Sequence, residues 1–465
     1  MREHTRRRRS HCRSAAPRYV DRPRRRPDGA HASRDDPPLS PPCTGGTVRG
    51  RRTTMHIESP RPSNHVALGS PSRAATGAAG CERRTRGARR ATVKRLRVGA
   101  IAALSFAIGL FPLGIAVAQD QSGVAEPTAL EVTFTSGDIT LAGTLTLPGG
   151  AGRHPALVTI TGSGPQDRDN AHPSIPGYRP FAWLAEHLME HGMAVLRFDE
   201  RGVGESEGAF EGATSADFAR DVEAAVAYLR EHPDIDPSNV GLVGHSEGSM
   251  IAGMIAARDP DLAFVVSLAG ASVDGFTLMR NQIANLAFSQ APSEEFAELI
   301  VRSEIRAMEL TVAEEWESLE EHLVETYRTQ FEMLPADQAP PADQIEPLAR
   351  QTAEQELEAR YQDPWFRYFL TYDPGQDWER VTIPVLAVYG EHDLQVDADF
   401  NREPLAEALD RAGNTDATIV TLERSNHLFL ETETGDVMEY ADLEMAFAPG
   451  FLDLVTDWLS ANVAE

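Results

Sequence analysis

The sequence predicts an α/β protein: a mostly parallel sheet covered on both sides, with an N-terminal antiparallel hairpin and an inserted helical cap. Three observations predict it. Short apolar runs recur at 156–161, 193–198, 240–243, 264–268, 385–389 and 417–422, each leading into a loop. Helical periods separate them, as at 181–190 and at 217–229, where Phe218, Val222, Ala225, Val226 and Leu229 share one face. Alternating text, LEVTFTS and then ITLAGTLTL, flanks the turn Ser136-Gly137-Asp138. Apolar strands interleaved with amphipathic helices bury both faces of a sheet, whereas alternation marks the antiparallel strands of a hairpin. Ligands of such sheets bind beyond the carboxyl ends of the strands.

In chain order, residues 1–92 are crowded with Arg, Pro, Gly and Ser and hold all three cysteines, Cys12, Cys43 and Cys81. With no hydrophobic period they are expected to form a basic disordered leader. The run Arg6-Arg7-Arg8-Arg9 has no aromatic or helical context that would make it a nucleic-acid arm. Val93 stands directly before Lys94-Arg95-Leu96-Arg97, and a valine codon there would serve as a bacterial start, leaving the leader untranslated. Residues 93–118 read as a secretory signal: a basic start, an apolar run from Val98, and Ala116-x-Ala118 before a cut at Gln119. The apolar run is long enough to span a bilayer, so an uncleaved anchor is the alternative, which Pro112 and Gly114 disfavour. No cysteine ends the run to take a lipid. Export to the periplasm or the extracellular space is the expectation.

Residues 119–465 contain no cysteine and no lysine, so their stability rests on no disulfide. They carry 19 arginines against 63 carboxylates, a net charge near −44. Such a surface repels nucleic acid and anionic membrane. Salt screens its self-repulsion, which predicts a salty habitat and a stability that rises with ionic strength. A sheet domain in two parts is expected, at 119–276 and 376–465. Between them, at 277–375, the strand–helix rhythm stops. Residues 293–328 read as helical and acidic, with 11 carboxylates between 294 and 325. The stretch PADQAPPAD reads as a turn, and 345–361 as a second helix. The aromatic run Trp365-Phe366-Arg367-Tyr368-Phe369 is where the cap packs on the core, with lining of an acyl pocket as the alternative.

The chemistry centres on VGLVGHSEGSMIAGMIAA, in which Gly244-His245-Ser246-Glu247-Gly248 matches G-x-S-x-G between a strand and a helix. That context lifts a serine hydroxyl into the cleft, with glycines where side chains would clash. The helix N-terminus there favours developing negative charge. A serine needs a base to take its proton, and the base an acid to orient it. PVLAVYGEHDLQV supplies Asp393 after one late strand, and ATIVTLERSNHLFL supplies His427 after the last. Asp397 and Asp399 are rival acids farther from the strand end. His392 reads as a loop residue, His187 and His191 as members of a surface helix, and His245 as fixed by the turn. Two backbone N–H groups must meet the oxyanion: that of Glu247, and that of Ser163, or Gly164, in the loop GSGPQDRD. Arg201 and Asp199 in FDERGVGES are expected to pin loops, with a substrate contact by Arg201 as the alternative. No H-E-x-x-H, cysteine cluster or G-x-x-x-x-G-K-[S/T] occurs in 119–465, so no metal or cofactor is expected.

Together GSGPQDRD, FDERGVGES, GHSEG, DPWFRYFLTYDP, GEHDLQV and SNHLFL resemble the exported bacterial α/β-hydrolases grouped with serine aminopeptidases (S33-like) and lysophospholipase-type hydrolases. The resemblance runs from about residue 130 to the C-terminus. It implies the α/β-hydrolase fold, Ser246, Asp393 and His427 as triad, and an oxyanion hole at 162–164. It also implies a carboxylic ester hydrolase, or a serine aminopeptidase, acting on a small soluble ester or short peptide. A catalytically silent binding protein is the remaining alternative.

Overall fold

The computed structural model describes residues 126–172 and 174–463; the leader and signal segment lie outside the described residues. The alternating hairpin forms β1 (Thr128–Ser136) and β2 (Ile139–Leu147), antiparallel from the Thr128–Leu147 pair to the Ser136–Ile139 pair. Then follow β3 (His154–Ile160), α1 (Pro180–Glu190), β4 (Ala194–Phe198), α2 (Ser215–Glu231), β5 (Ile235–His245), α3 (Glu247–Ala256) and β6 (Val265–Leu268). Six helices come next: α4 (Gly275–Gln290), α5 (Glu294–Val312), α6 (Trp316–Met333), α7 (Ile345–Glu356), α8 (Pro364–Thr371) and the short α9 (Gly375–Trp378). The chain closes with β7 (Val385–Gly390), α10 (Ala398–Ala412), β8 (Ala417–Leu422) and α11 (Phe451–Asn462).

All eight strands join one sheet in the order β1-β2-β4-β3-β5-β6-β7-β8. β2 meets β4 antiparallel, and every pairing from β4 to β8 is parallel. Successive side chains of a strand point to opposite faces, and β7 shows the consequence. Its Val385, Ala387 and Tyr389 join a core with α2, α3 and α10, including Val222, Met250 and Leu405. Its Leu386 and Val388 join a second core with α1 and α11, including Leu184, Phe451 and Val455. Each such side chain, fully buried, stabilises the fold by about 1.5–3 kcal/mol. The parallel strands therefore read as unbroken apolar runs because both faces are covered.

The segment read as one helix at 293–328 is two, α5 and α6, which break at Ala313–Glu315 where Glu314 takes a positive φ of 56°. No glycine or proline marks the break. Reversal there lets Met308 and Leu310 of α5 meet Leu319 and Leu323 of α6 in a separate core with Tyr361, Phe366 and Leu370. The helix read at 345–361 is α7 followed by a π turn, Leu357–Tyr361. Trp378 of α9 packs into the sheet's core, closely against Gly253 of α3. Among the described residues no helix is long and apolar enough to cross a membrane.

Candidate active site

At the end of β5 the chain reverses through Ser246, whose backbone sits at φ 55°, ψ −117°, before α3 begins at Glu247. For a serine this is strained backbone, costing about 1–3 kcal/mol, and the surroundings hold it. Ser246 N–H donates to the Leu268 carbonyl at 2.8 Å, and the Ser246 carbonyl accepts from Ser249 N–H at 3.0 Å. The flanking glycines are required by close approach. A Cβ on Gly244 would lie 2.1 Å from the Gly248 carbonyl oxygen, and one on Gly248 would lie 2.2 Å from that of Ile160.

Asp393 and His427 follow the ends of β7 and β8 and meet in the interior. Asp393 Oδ2 lies 2.8 Å from His427 Nδ1, while Oδ1 accepts the N–H groups of Gln395 and Val396, both at 2.8 Å. The Asp393 side chain is entirely buried. Asn426 braces the histidine loop by accepting the N–H groups of Leu428 and Leu430 at 3.0 Å. The rival acid Asp397 instead caps α10, accepting from the N–H groups of Asp399 and Phe400. His245 is more than a passive member of the turn. Its Nε2 faces the His427 carbonyl at 2.8 Å, so that nitrogen carries the hydrogen. Burial pushes the His245 imidazole down to about 3, which keeps it neutral.

Ser246, His427, Glu247, Ser163 and Gly164 all line one cavity of about 910 Å³, with Asp393 behind His427. One wall is the loop after β3, held by two clamps. Arg168 donates bidentately to Asp199, at 3.1 and 2.7 Å, and its own N–H donates to the same carboxylate at 2.8 Å. Glu200 bonds the Thr161 hydroxyl and accepts Gln166 N–H at 2.9 Å. Burial pushes the Glu200 carboxyl up to about 8. Asp199 thus pins loops as read. Arg201 is spent on Asp221, at 2.7 and 2.8 Å, and is absent from the cavity lining. His187 bonds Thr456 at 2.9 Å, and His392 stands beside Glu391, neither at the cavity.

The aromatic run serves both expected ends. Trp365 and Phe369 line the cavity and, with Tyr368, pack on the sheet's core, while Phe366 packs into the insertion's own core against Tyr361. Sequence reasoning missed the rest of the wall. Leu278, Met279 and Leu286 come from α4, and Val437, Met438 and Tyr440 from a short 3-10 helix, Val437–Asp442. Glu247 also exceeds its reading as an oxyanion amide. Its side chain is buried and accepts from Ser215 Oγ at 2.6 Å and from Trp365 Nε1 at 2.8 Å. Among the described residues no group of three or more His, Cys, Asp or Glu is placed to hold a metal ion.

A serine raised at a strand-to-helix elbow, on a sheet of this order, is the architecture of the α/β-hydrolases, and the protein is a hydrolase of that fold. The chain belongs to the X-Pro dipeptidyl-peptidase (S15) family, whose pattern matches residues 136–427. It is 26% identical over 304 residues to Esterase EstD of Thermotoga maritima, covering 65% of this chain and 61% of that one. It is 35% identical over 147 residues to Thiohydrolase aneE of Aspergillus aculeatus, covering 31% of this chain and 42% of that one. The chain thus spans less than two thirds of the length of either relative. Among solved structures, Esterase Pf2001 of Pyrococcus furiosus aligns with 73% of this chain and 92% of its own, at 15% identity and a TM-score of 0.44.

Proposed function

We propose that the protein hydrolyses carboxylic esters of small, uncharged substrates through an acyl-enzyme on Ser246. His427 Nε2 takes the serine proton as Oγ attacks the carbonyl, and Asp393 holds Nδ1–H and stabilises the imidazolium. The amides of Glu247 and of Ser163 (or Gly164) receive the oxyanion. His427 then protonates the leaving alcohol and activates the water that releases the acid.

The observation that carries the ester reading is the cavity's wall. Among the described residues it contains no arginine or lysine, and its single carboxyl, Glu247, is already bonded to Ser215 and Trp365. An aminopeptidase or X-Pro dipeptidase needs a free carboxylate for the substrate's ammonium group. The half-buried acids of the insertion, Glu304 and Glu356, are instead paired with Arg360 at 3.1 Å, away from the cavity. The family assignment keeps the peptidase reading as the alternative.

A rate panel separates the two. It compares p-nitrophenyl esters of increasing chain length, an acyl thioester, and aminoacyl, prolyl and X-Pro p-nitroanilides, with Ser246→Ala as control. Ester turnover with inert anilides is the expected result. Anilide turnover lost in the variant would move the assignment to a peptidase. Export with a cut before Gln119 belongs to the same proposal. N-terminal sequencing of the cell-made protein tests it, and a start upstream of Val93 contradicts the short reading frame.

A further inference from the structure

The side chain after the nucleophile joins three separated parts of the chain. Glu247 Oε1 accepts from Ser215 Oγ, the first residue of α2, at 2.6 Å. It also accepts from Trp365 Nε1, on α8 of the insertion, at 2.8 Å. The Glu247 backbone N–H is itself one of the two proposed oxyanion donors, so side chain and donor belong to one residue. These partners lie 32 and 118 residues away, so no local rule of helix capping accounts for the arrangement. Trp365 in turn stacks on Phe369 with ring centroids 5.2 Å apart, and both rings line the cavity.

We propose that the Glu247 side chain is a positioning residue for ester hydrolysis, tying the seat of Trp365 over the cavity to the elbow whose Glu247 amide receives the oxyanion. The inference rests on the ester reading of the site. Oε1 is engaged twice by donors, one from α2 and one from α8. Burial without a cation in contact holds the carboxyl above the usual carboxylate range. An acyl group packed under Trp365 thereby bears on the donor that receives its own oxyanion. The tie acts on the transition state more than on binding, so it governs kcat rather than KM.

Glu247→Gln keeps the pattern, its carbonyl accepting from Ser215 and Trp365. Glu247→Ala abolishes it. Kinetics on the best ester of the panel should show a ten- to hundred-fold fall in kcat for Glu247→Ala, with KM within about three-fold. Glu247→Gln should lose no more than about three-fold. Trp365→Phe, which keeps a ring but removes the N–H, should lower kcat three- to ten-fold and covers the case in which Glu247→Ala fails to fold. Active-site titration with a fluorophosphonate normalises each rate to folded enzyme. Equal damage in Glu247→Gln and Glu247→Ala would overturn the proposal, because the two accepted bonds that Gln keeps would then not be what matters. Unchanged kcat in both Trp365→Phe and Glu247→Ala would overturn it as well. Failure of the wild type to cleave any ester would instead remove the reading beneath it.

Discussion

Where the sheet's loops converge, charged and polar groups are buried and each has a specified partner. Asp393 holds His427, Glu200 holds the loop after β3, and Glu247 joins three elements. The helical insertion is built otherwise. Its ion pairs Arg302–Glu298, Arg306–Glu309, Arg328–Glu325 and Arg350–Glu346 lie on the surface, where such pairs contribute about 0–1 kcal/mol each. Its half-buried charge group, Arg360 with Glu304 and Glu356, lies away from the cavity, with the guanidinium over Tyr361 and Phe366. In the proposed reaction the sheet's network fixes where bonds are made and broken, and the insertion supplies apolar wall.

The comparison breaks most visibly at the reacting groups. Ser246→Ala and His427→Ala should each lower kcat by about 10⁴–10⁶-fold, and Asp393→Asn by about 10³–10⁴-fold, in ester hydrolysis. Losses under ten-fold would place the chemistry elsewhere. Next comes the elbow. Gly248→Ala forces a Cβ against the Ile160 carbonyl, and the unfolding free energy should drop by about 3 kcal/mol in a urea titration.

Glu200 gives a pH test. Its folded carboxyl titrates at about 8 against an ordinary 4.5, so its contribution is fully present below about 4.5 and is lost as pH rises through 8. Stability should fall by a few kcal/mol over that window. Glu200→Gln should flatten the fall, because an amide does not titrate, and its carbonyl still accepts from Gln166 N–H. A profile equally steep in the variant would count against burial as the cause.

On the insertion side the effects are smaller and of another kind. Met279→Trp narrows the cavity and should raise KM for the longest esters about ten-fold, with little change for acetate. A matching fall in kcat for acetate would erase the division between the two regions. Smallest of all, the melting temperature should rise by several degrees between about 0.05 and 1 M NaCl, as screening relieves the excess of carboxylates. A flat or falling response would mean that the self-repulsion is unimportant.

The same division decided what could be read from sequence. Strands β3 to β7 announce themselves because burial on both faces demands apolar runs, and the elbow does because Gly244 and Gly248 stand where backbones touch. Asp393 and His427 were legible from their order and from the strand ends before them. The wall was not. α4 carries Arg280, Asn281, Gln282 and Asn285 among its apolar residues, so its inward face hides in a mixed pattern. The turn at Glu314 has no glycine to mark it, and Val437–Asp442 looks like an acidic loop. The bond from Trp365 to Glu247 spans 118 residues and exists only in three dimensions.

The central claim, that Ser246 is the nucleophile of this site, is tested most directly by fluorophosphonate labelling followed by peptide mapping in a mass spectrometer. The account predicts one adduct per chain, on Ser246, and none in Ser246→Ala. An adduct on another residue, or equal labelling of the variant, would contradict it.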